Sequence, residues 1–162
     1  MFISLARAFV TDGFYKEESC ELDLSSLEYP NGSFPFKKPV KVNWVLSNRA
    51  DTLFFSAKIT YFVSTQCDRC FEPVEQKHEV SKEVILVREK MGDDNDEIIE
   101  VSGESFDLES FVCENVILSM PVKFLCSEEC KGLCSICGIN LNHSSCSCTN
   151  DVSPFAALKG LF

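Results

Sequence analysis

Eight of the ten cysteines in this 162-residue chain fall into four close pairs: Cys67/Cys70, Cys126/Cys130, Cys134/Cys137 and Cys146/Cys148. Three of the pairs crowd into the last 37 residues. Thiolates so spaced can grip one small ion, and four of them complete a tetrahedral zinc site with no open position. Two such sites would use all eight sulfurs and pin a large part of the backbone. Cys134-Ser-Ile-Cys137-Gly138 reads as a metal knuckle, in which glycine lets the backbone turn and aim amides at sulfur. Cys146-Ser-Cys148 follows after eight intervening residues, close enough to complete a compact site. That leaves Cys67/Cys70 with Cys126/Cys130, a pairing that ties the tail back to the strand region. The other pairing joins Cys67/Cys70 to the knuckle and Cys126/Cys130 to Cys146/Cys148. Spacing leaves it open, along with a single zinc and some free thiols.

Other chemistry finds less support. A C-x-x-C pair also serves thiol redox, where the first sulfur sits at a strand-to-helix junction. Here Cys70 runs into Glu72-Pro73 and strand-like residues. Cys20, in a strand pattern, and Cys113, on a predicted helix, read as buried structural thiols. His78 and His143 are the only histidines. His78-Glu79 lacks the second histidine of H-E-x-x-H, because position 82 is lysine, and lacks the H-x-E of zinc deaminases, because position 80 is valine. His143 lies between Cys137 and Cys146 and could stand in for one sulfur. No phosphate-binding glycine loop and no G-x-S-x-G is present. Structural metal is therefore expected, in a binding protein rather than an enzyme, with no small-molecule substrate.

The formal charge of −10 is unevenly placed. Residues 83–115 carry 11 acids against Arg88 and Lys90, peaking at Asp93-Asp94-Asn95-Asp96-Glu97, while the rest of the chain is nearly balanced. Each four-thiolate zinc site adds about −2. Such a chain is repelled by a phosphate backbone unless it has a local basic face, and its acidic surface suits a basic protein. Lys37, Lys38 and Lys41, with Phe36 and Trp44 nearby, are the candidate basic and aromatic patch for direct RNA binding. No apolar run approaches the length of a membrane span, and the N-terminus lacks the basic start and cleavage site of a signal peptide. A cytoplasmic protein with no membrane partner is expected, and in that reducing compartment paired cysteines favour metal over disulfides.

Strand patterns dominate the first half. Apolar residues alternate along Val40, Val42, Trp44 and Leu46, and again along Leu53, Phe55, Ala57, Ile59, Tyr61 and Val63, with Asn48-Arg-Ala-Asp51 as the turn between. Further strands are expected at Glu18–Leu24, Val74–Val87 and Ile98–Val101. A helix should start at the cap residue Asp107, bury Leu108, Phe111, Val112 and Leu118, and end by Pro121. The fold class is α+β: an antiparallel sheet over roughly 15–101, able to curl into a barrel, one long helix at 107–120, and a zinc-bound cysteine-rich C-terminal segment. The expected divisions are an α+β domain at 1–121, the zinc-binding segment at 122–150 and a short C-terminal helix at 151–162.

The tail Cys126-Ser-Glu-Glu-Cys130-Lys-Gly-Leu-Cys134-Ser-Ile-Cys137-Gly-Ile-Asn-Leu-Asn, then Cys146-Ser-Cys148, resembles the YceD family of large ribosomal RNA subunit accumulation proteins, in its cysteine-rich Gram-positive form. So do Cys67-Asp-Arg-Cys70 after a long strand, the Asp107-Leu … Glu114 … Pro121 helix and the closing Phe155-Ala-Ala-Leu158. The resemblance runs from about Leu22 to the C-terminus. It implies a cytosolic role in production or maturation of large-subunit ribosomal RNA, with a ribosomal protein or ribosome-assembly factor as partner and ribosomal RNA as a possible one. Some relatives keep the first C-x-x-C and the first tail cysteines but lack the later knuckle. That implies a core site of Cys67, Cys70, Cys126 and Cys130, and a separate one of Cys134, Cys137, Cys146 and Cys148. The family's tail often has Asp-Pro-Arg, where this chain has Asp151-Val-Ser-Pro154. The alternative functions are direct RNA binding and thiol or zinc redox sensing.

Overall fold

A computed structural model describes residues 1–25, 28–29, 32–33, 36–89, 97–101 and 103–148. The acidic run at 93–96 and the predicted C-terminal helix at 151–162 lie outside the described residues. In chain order the elements are β1 (Phe2–Ser4), α1 (Ala6–Val10), β2 (Tyr15–Leu22), β3 (Glu28–Tyr29), β4 (Gly32–Ser33), β5 (Val40–Arg49), β6 (Thr52–Gln66), β7 (Pro73–Val87), β8 (Ile98–Glu100), β9 (Ser105–Asp107) and α2 (Leu108–Ser119). They divide into two compact units: Met1–Ser64 with Glu75–Val122, and Thr65–Val74 with the segment from Lys123.

In the first unit, period-two alternation produces the expected strands. β5 pairs antiparallel with β6, placing Trp44 opposite Ala57 and Leu46 opposite Phe55. The alternating apolar residues of both strands are buried, while Lys41, Asn43 and Lys58 face outward. The turn between them holds Ala50 and Asp51 at φ 49° and 60°. A five-stranded sheet forms in the order β2-β5-β6-β7-β8, with β2 antiparallel to β5 but β8 parallel to β7. The sheet is therefore mixed rather than purely antiparallel. It is also open, not a barrel: β2 and β8 are its edges, and the three residues of β8 are too few to close against the eight of β2.

Side chains from outside the sheet cover its apolar face. Phe55 packs against Phe106 of β9 at 4.8 Å between ring centroids and edge-on against Phe111 of α2 at 5.4 Å. The Asp107 carboxylate accepts from the backbone N–H groups of Glu109 and Ser110, which starts α2 at the predicted residue. Leu108, Phe111, Val112 and Val116 form the buried face of α2. Leu118 does not join them and is 83% exposed. It lies two turns beyond Phe111, one residue before the helix ends at Ser119, so the helical period sets its direction without supplying a cover. Sequence patterns also miss the first elements. β1 pairs with β9, placing Ile3 opposite Phe106, and α1 is tied to β5 by the Asn48 side-chain amide donating to the Ala8 carbonyl at 2.7 Å. Three- and five-residue elements are too short to show a period. Among the described residues no helix is long and apolar enough to cross a membrane.

Candidate metal centre

The second unit joins the β6–β7 connection to the segment from Lys123, and it contains all eight paired cysteines. Two turns of the same design open it. After Cys67 the chain folds back so that the Phe71 N–H donates to the Cys67 carbonyl at 2.9 Å; after Cys134 the Gly138 N–H donates to the Cys134 carbonyl at 2.9 Å. Both closing residues take the left-handed conformation, φ 61° at Phe71 and 73° at Gly138. Glycine adopts this freely, whereas phenylalanine does so at a cost. The first turn is held by the tail: the Asp68 N–H donates to the Phe124 carbonyl at 2.8 Å, the Phe124 N–H returns to the Asp68 carboxylate at 2.7 Å, and Arg69 Nη1 donates to the Cys130 carbonyl at 2.8 Å.

These contacts gather the sulfurs into two groups, Cys67/Cys70/Cys126/Cys130 and Cys134/Cys137/Cys146/Cys148, with the sulfurs of each within 4.8 Å of one another. Cys67 Sγ lies 3.8 Å from Cys130 Sγ, and Cys70 Sγ lies 3.5 Å from Cys126 Sγ. Four sulfurs placed tetrahedrally about 2.3 Å from a central zinc are separated by about 3.8 Å. The donor set thus has the size and chemistry of a four-thiolate metal site. In the first group Cys67, Cys70 and Cys130 are buried with Val74, against Leu125 and Leu133. The second group is half-buried to exposed.

The electrostatics fit metal capture. At Cys67, burial pushes the thiol up, but the backbone N–H groups of Cys126, Arg69 and Cys70 outweigh it and bring the pKa down to about 6. At Cys134, the amides of Cys137 and Ile136 likewise bring it down to about 6. Their neighbours move the other way. The Glu72 amide favours the Cys70 thiolate, yet burial and the adjoining sulfurs raise that thiol to about 12. Cys148 is pushed up to about 12, chiefly by Cys137. Cys130 is also held down, chiefly by the Asn142 side chain. Lowered and raised thiols thus stand side by side, and a bound cation would supply the charge that favours ionising the raised ones.

An outer layer of polar side chains, which sequence reasoning does not pick out, surrounds the sulfurs. Asn142 Nδ2 donates to Cys130 Sγ at 3.3 Å. Glu72 Oε1 accepts from Asn140 Nδ2 at 3.1 Å and lies 2.6 Å from His143 Nε2. His143 is thus a partner of Glu72 and belongs to neither sulfur group. The asparagine-rich stretch Asn140-Leu-Asn142 is the only hint the sequence carries. Cys20 and Cys113 are half-buried and outside both groups, and burial raises both thiols. His78 stacks on Tyr61 at 5.2 Å between ring centroids. In the predicted RNA patch, Phe36 and Trp44 are buried in the first unit's core, Lys41 pairs with Glu21, and Lys38 lies over Phe62. The aromatic half of that patch is not available for stacking bases, because strand alternation turns Trp44 inward and Phe36 is buried edge-on against Tyr61.

The family model described as large ribosomal RNA subunit accumulation protein YceD matches residues 55–162. Over 61 residues the chain is 36% identical to the chloroplastic large ribosomal RNA subunit accumulation protein YCED homolog 1 of Zea mays, a match covering 36% of this chain and 21% of that protein. Over 80 residues it is 32% identical to uncharacterized proteins of Mycobacterium bovis and Mycobacterium tuberculosis, covering 47% of this chain and 39% of each of them. The matched stretches thus span less than half the length of these relatives. No solved structure matches the chain. With a family match that runs over two thirds of its residues and takes in all eight paired cysteines, the chain belongs to the YceD family.

Proposed function

We propose that this chain is a non-enzymatic, zinc-binding cytoplasmic factor that supports accumulation and maturation of large-subunit ribosomal RNA. It does so through contact with a ribosomal protein or ribosome-assembly factor. The family match over residues 55–162 is the observation that carries the ribosomal part. The gathering of eight sulfurs into two groups of four, with near-tetrahedral spacings of 3.8 and 3.5 Å in the first, supports the zinc part. Four thiolates saturate zinc and leave no place for an activated water, so the metal's role here is to hold the second unit in shape. A protein partner suits the charge: residues 83–115 hold 11 acids against two bases, and a basic ribosomal protein complements that surface.

Affinity purification of the tagged chain from its own cells tests this directly. Large-subunit ribosomal proteins or assembly factors should co-purify, and depletion of the chain should lower large-subunit ribosomal RNA relative to small-subunit RNA. Unchanged RNA ratios on depletion would sink the ribosomal reading. Neutralising Asp93, Asp94, Asp96 and Glu97 should weaken the contact and flatten its salt dependence; undiminished binding would exclude the acidic segment as the contact surface. Metal analysis of the native protein should find two zinc ions per chain.

A further inference from the structure

The loop between Cys137 and Cys146 belongs to both sulfur groups at once. By connectivity it joins the two halves of the second group, and its eight residues are closed into a ring only when Cys146 and Cys148 share a metal with Cys134 and Cys137. By contact it is the outer layer of the first group. Asn142 donates to Cys130 Sγ and accepts from the Lys131 N–H at 2.8 Å, while Asn140 and His143 converge on Glu72. The loop's backbone is laid against the segment that follows Cys130 by the Leu141 N–H donating to the Gly132 carbonyl at 2.9 Å.

We propose that the two groups load metal cooperatively, with Asn142 and His143 as the coupling residues. Cooperative loading presupposes the zinc binding proposed above. Metal in the second group closes the loop and thereby fixes the donors that the first group needs. Asn142 then holds Cys130 Sγ in a ligating orientation. His143 and Asn140 also engage Glu72, whose carboxylate stands 3.8 Å from Cys70 Sγ and would otherwise oppose the thiolate that metal binding creates. Outer-layer partners of this kind change metal affinity by roughly 10–100-fold. The coupling is reciprocal, so metal in the first group must favour the second by the same factor.

The test is native mass spectrometry of the full chain with one equivalent of zinc. Cooperative loading makes the zero-ion and two-ion forms outnumber the one-ion form. The Asn142→Ala/His143→Ala variant keeps all eight thiols; it should still reach two ions in excess zinc. At one equivalent its one-ion form should dominate, and competition with a chelating indicator should show a roughly tenfold or greater loss of affinity for one ion. A one-ion form that dominates in the unaltered protein overturns the coupling, as does a variant that loads like the unaltered protein. Failure of the unaltered protein to retain any zinc would overturn the metal reading itself, which is a different result from two ions bound independently. Replacing zinc with cobalt and reading the thiolate-to-metal absorption of each form verifies that both ions sit among four sulfurs.

Discussion

Gly132 and Phe71 show how single residues set the sulfur positions. Gly132 has φ 73°, and a Cβ there would lie 3.0 Å from the Arg69 carbonyl oxygen, part of the backbone that carries the first knuckle. Gly132→Ala should therefore cost roughly 1–2 kcal/mol from the left-handed conformation, plus the displacement of Arg69. A lower melting temperature of the zinc-loaded protein and weaker zinc retention would register it; an unchanged melt would contradict it. Phe71 occupies the position of Gly138 in the sister knuckle and is 62% exposed, so packing does not explain its choice over glycine. At the same scale lies the pH response. Cys67 and Cys134 have pKa values lowered to about 6 in the fold, so both are thiolates above that value and thiols below it. Protons and metal compete for the same sulfur, hence zinc bound as proposed should be held at neutral pH and released as pH falls through about 6 and below. Zinc transfer to a chromogenic chelator across this range measures it, and pH-independent transfer would refute it.

Among the elements, α2 and the β5–β6 pair carry the first unit. The Asp107 side chain is the N-cap of α2 and also accepts from Ser110 Oγ at 2.9 Å. Replacing it with alanine should lower stability by about 1 kcal/mol, read by chemical denaturation. Phe55 matters more because it touches Trp44, Phe106 and Phe111, linking three elements through one ring. Phe55→Ala should cost about 3–5 kcal/mol in the same measurement, and a loss no larger than that of Asp107→Ala would show that the aromatic cluster does not hold the sheet to the helix. Both strands and this helix were legible because their periods extend over ten residues or more. β1, α1 and β9 were not, since short elements gain their order from what they pair with.

For the molecule as a whole, the two units rest on different forces. The first has a core of buried aliphatic and aromatic side chains, including Trp44, the single tryptophan. In the second the only buried apolar cluster is a small one, Cys67, Cys70, Val74 and Cys130 with Leu125 and Leu133, among the described residues. With so little apolar burial, this unit should draw folding free energy from the zinc proposed above. Chelation should thus leave Trp44 fluorescence and the far-ultraviolet strand signal nearly unchanged. Amide exchange at 124–143 should accelerate strongly under the same treatment. Loss of the tryptophan signal in step with metal removal would show that the first unit also needs the metal.

The sequence by itself determined the inventory: eight sulfurs in four pairs, the alternating strands of the sheet and the capped start of the helix. Each is a local property, decided by spacing along the chain and by the period of a strand or helix. The sulfur grouping was narrower than spacing could resolve, because either partition of four pairs satisfies the same ligand chemistry. Tertiary contacts decided it: Asp68 with Phe124 and Arg69 with Cys130 bring the first knuckle to the tail before any ion is considered. The outer layer of Glu72, Asn140, Asn142 and His143 was likewise invisible, since its members lie up to 71 residues apart and have no shared pattern. Whether the sheet closed was a further tertiary matter. Its apolar face could be covered by its own far edge or by other elements, and Phe106 and Phe111 took that place.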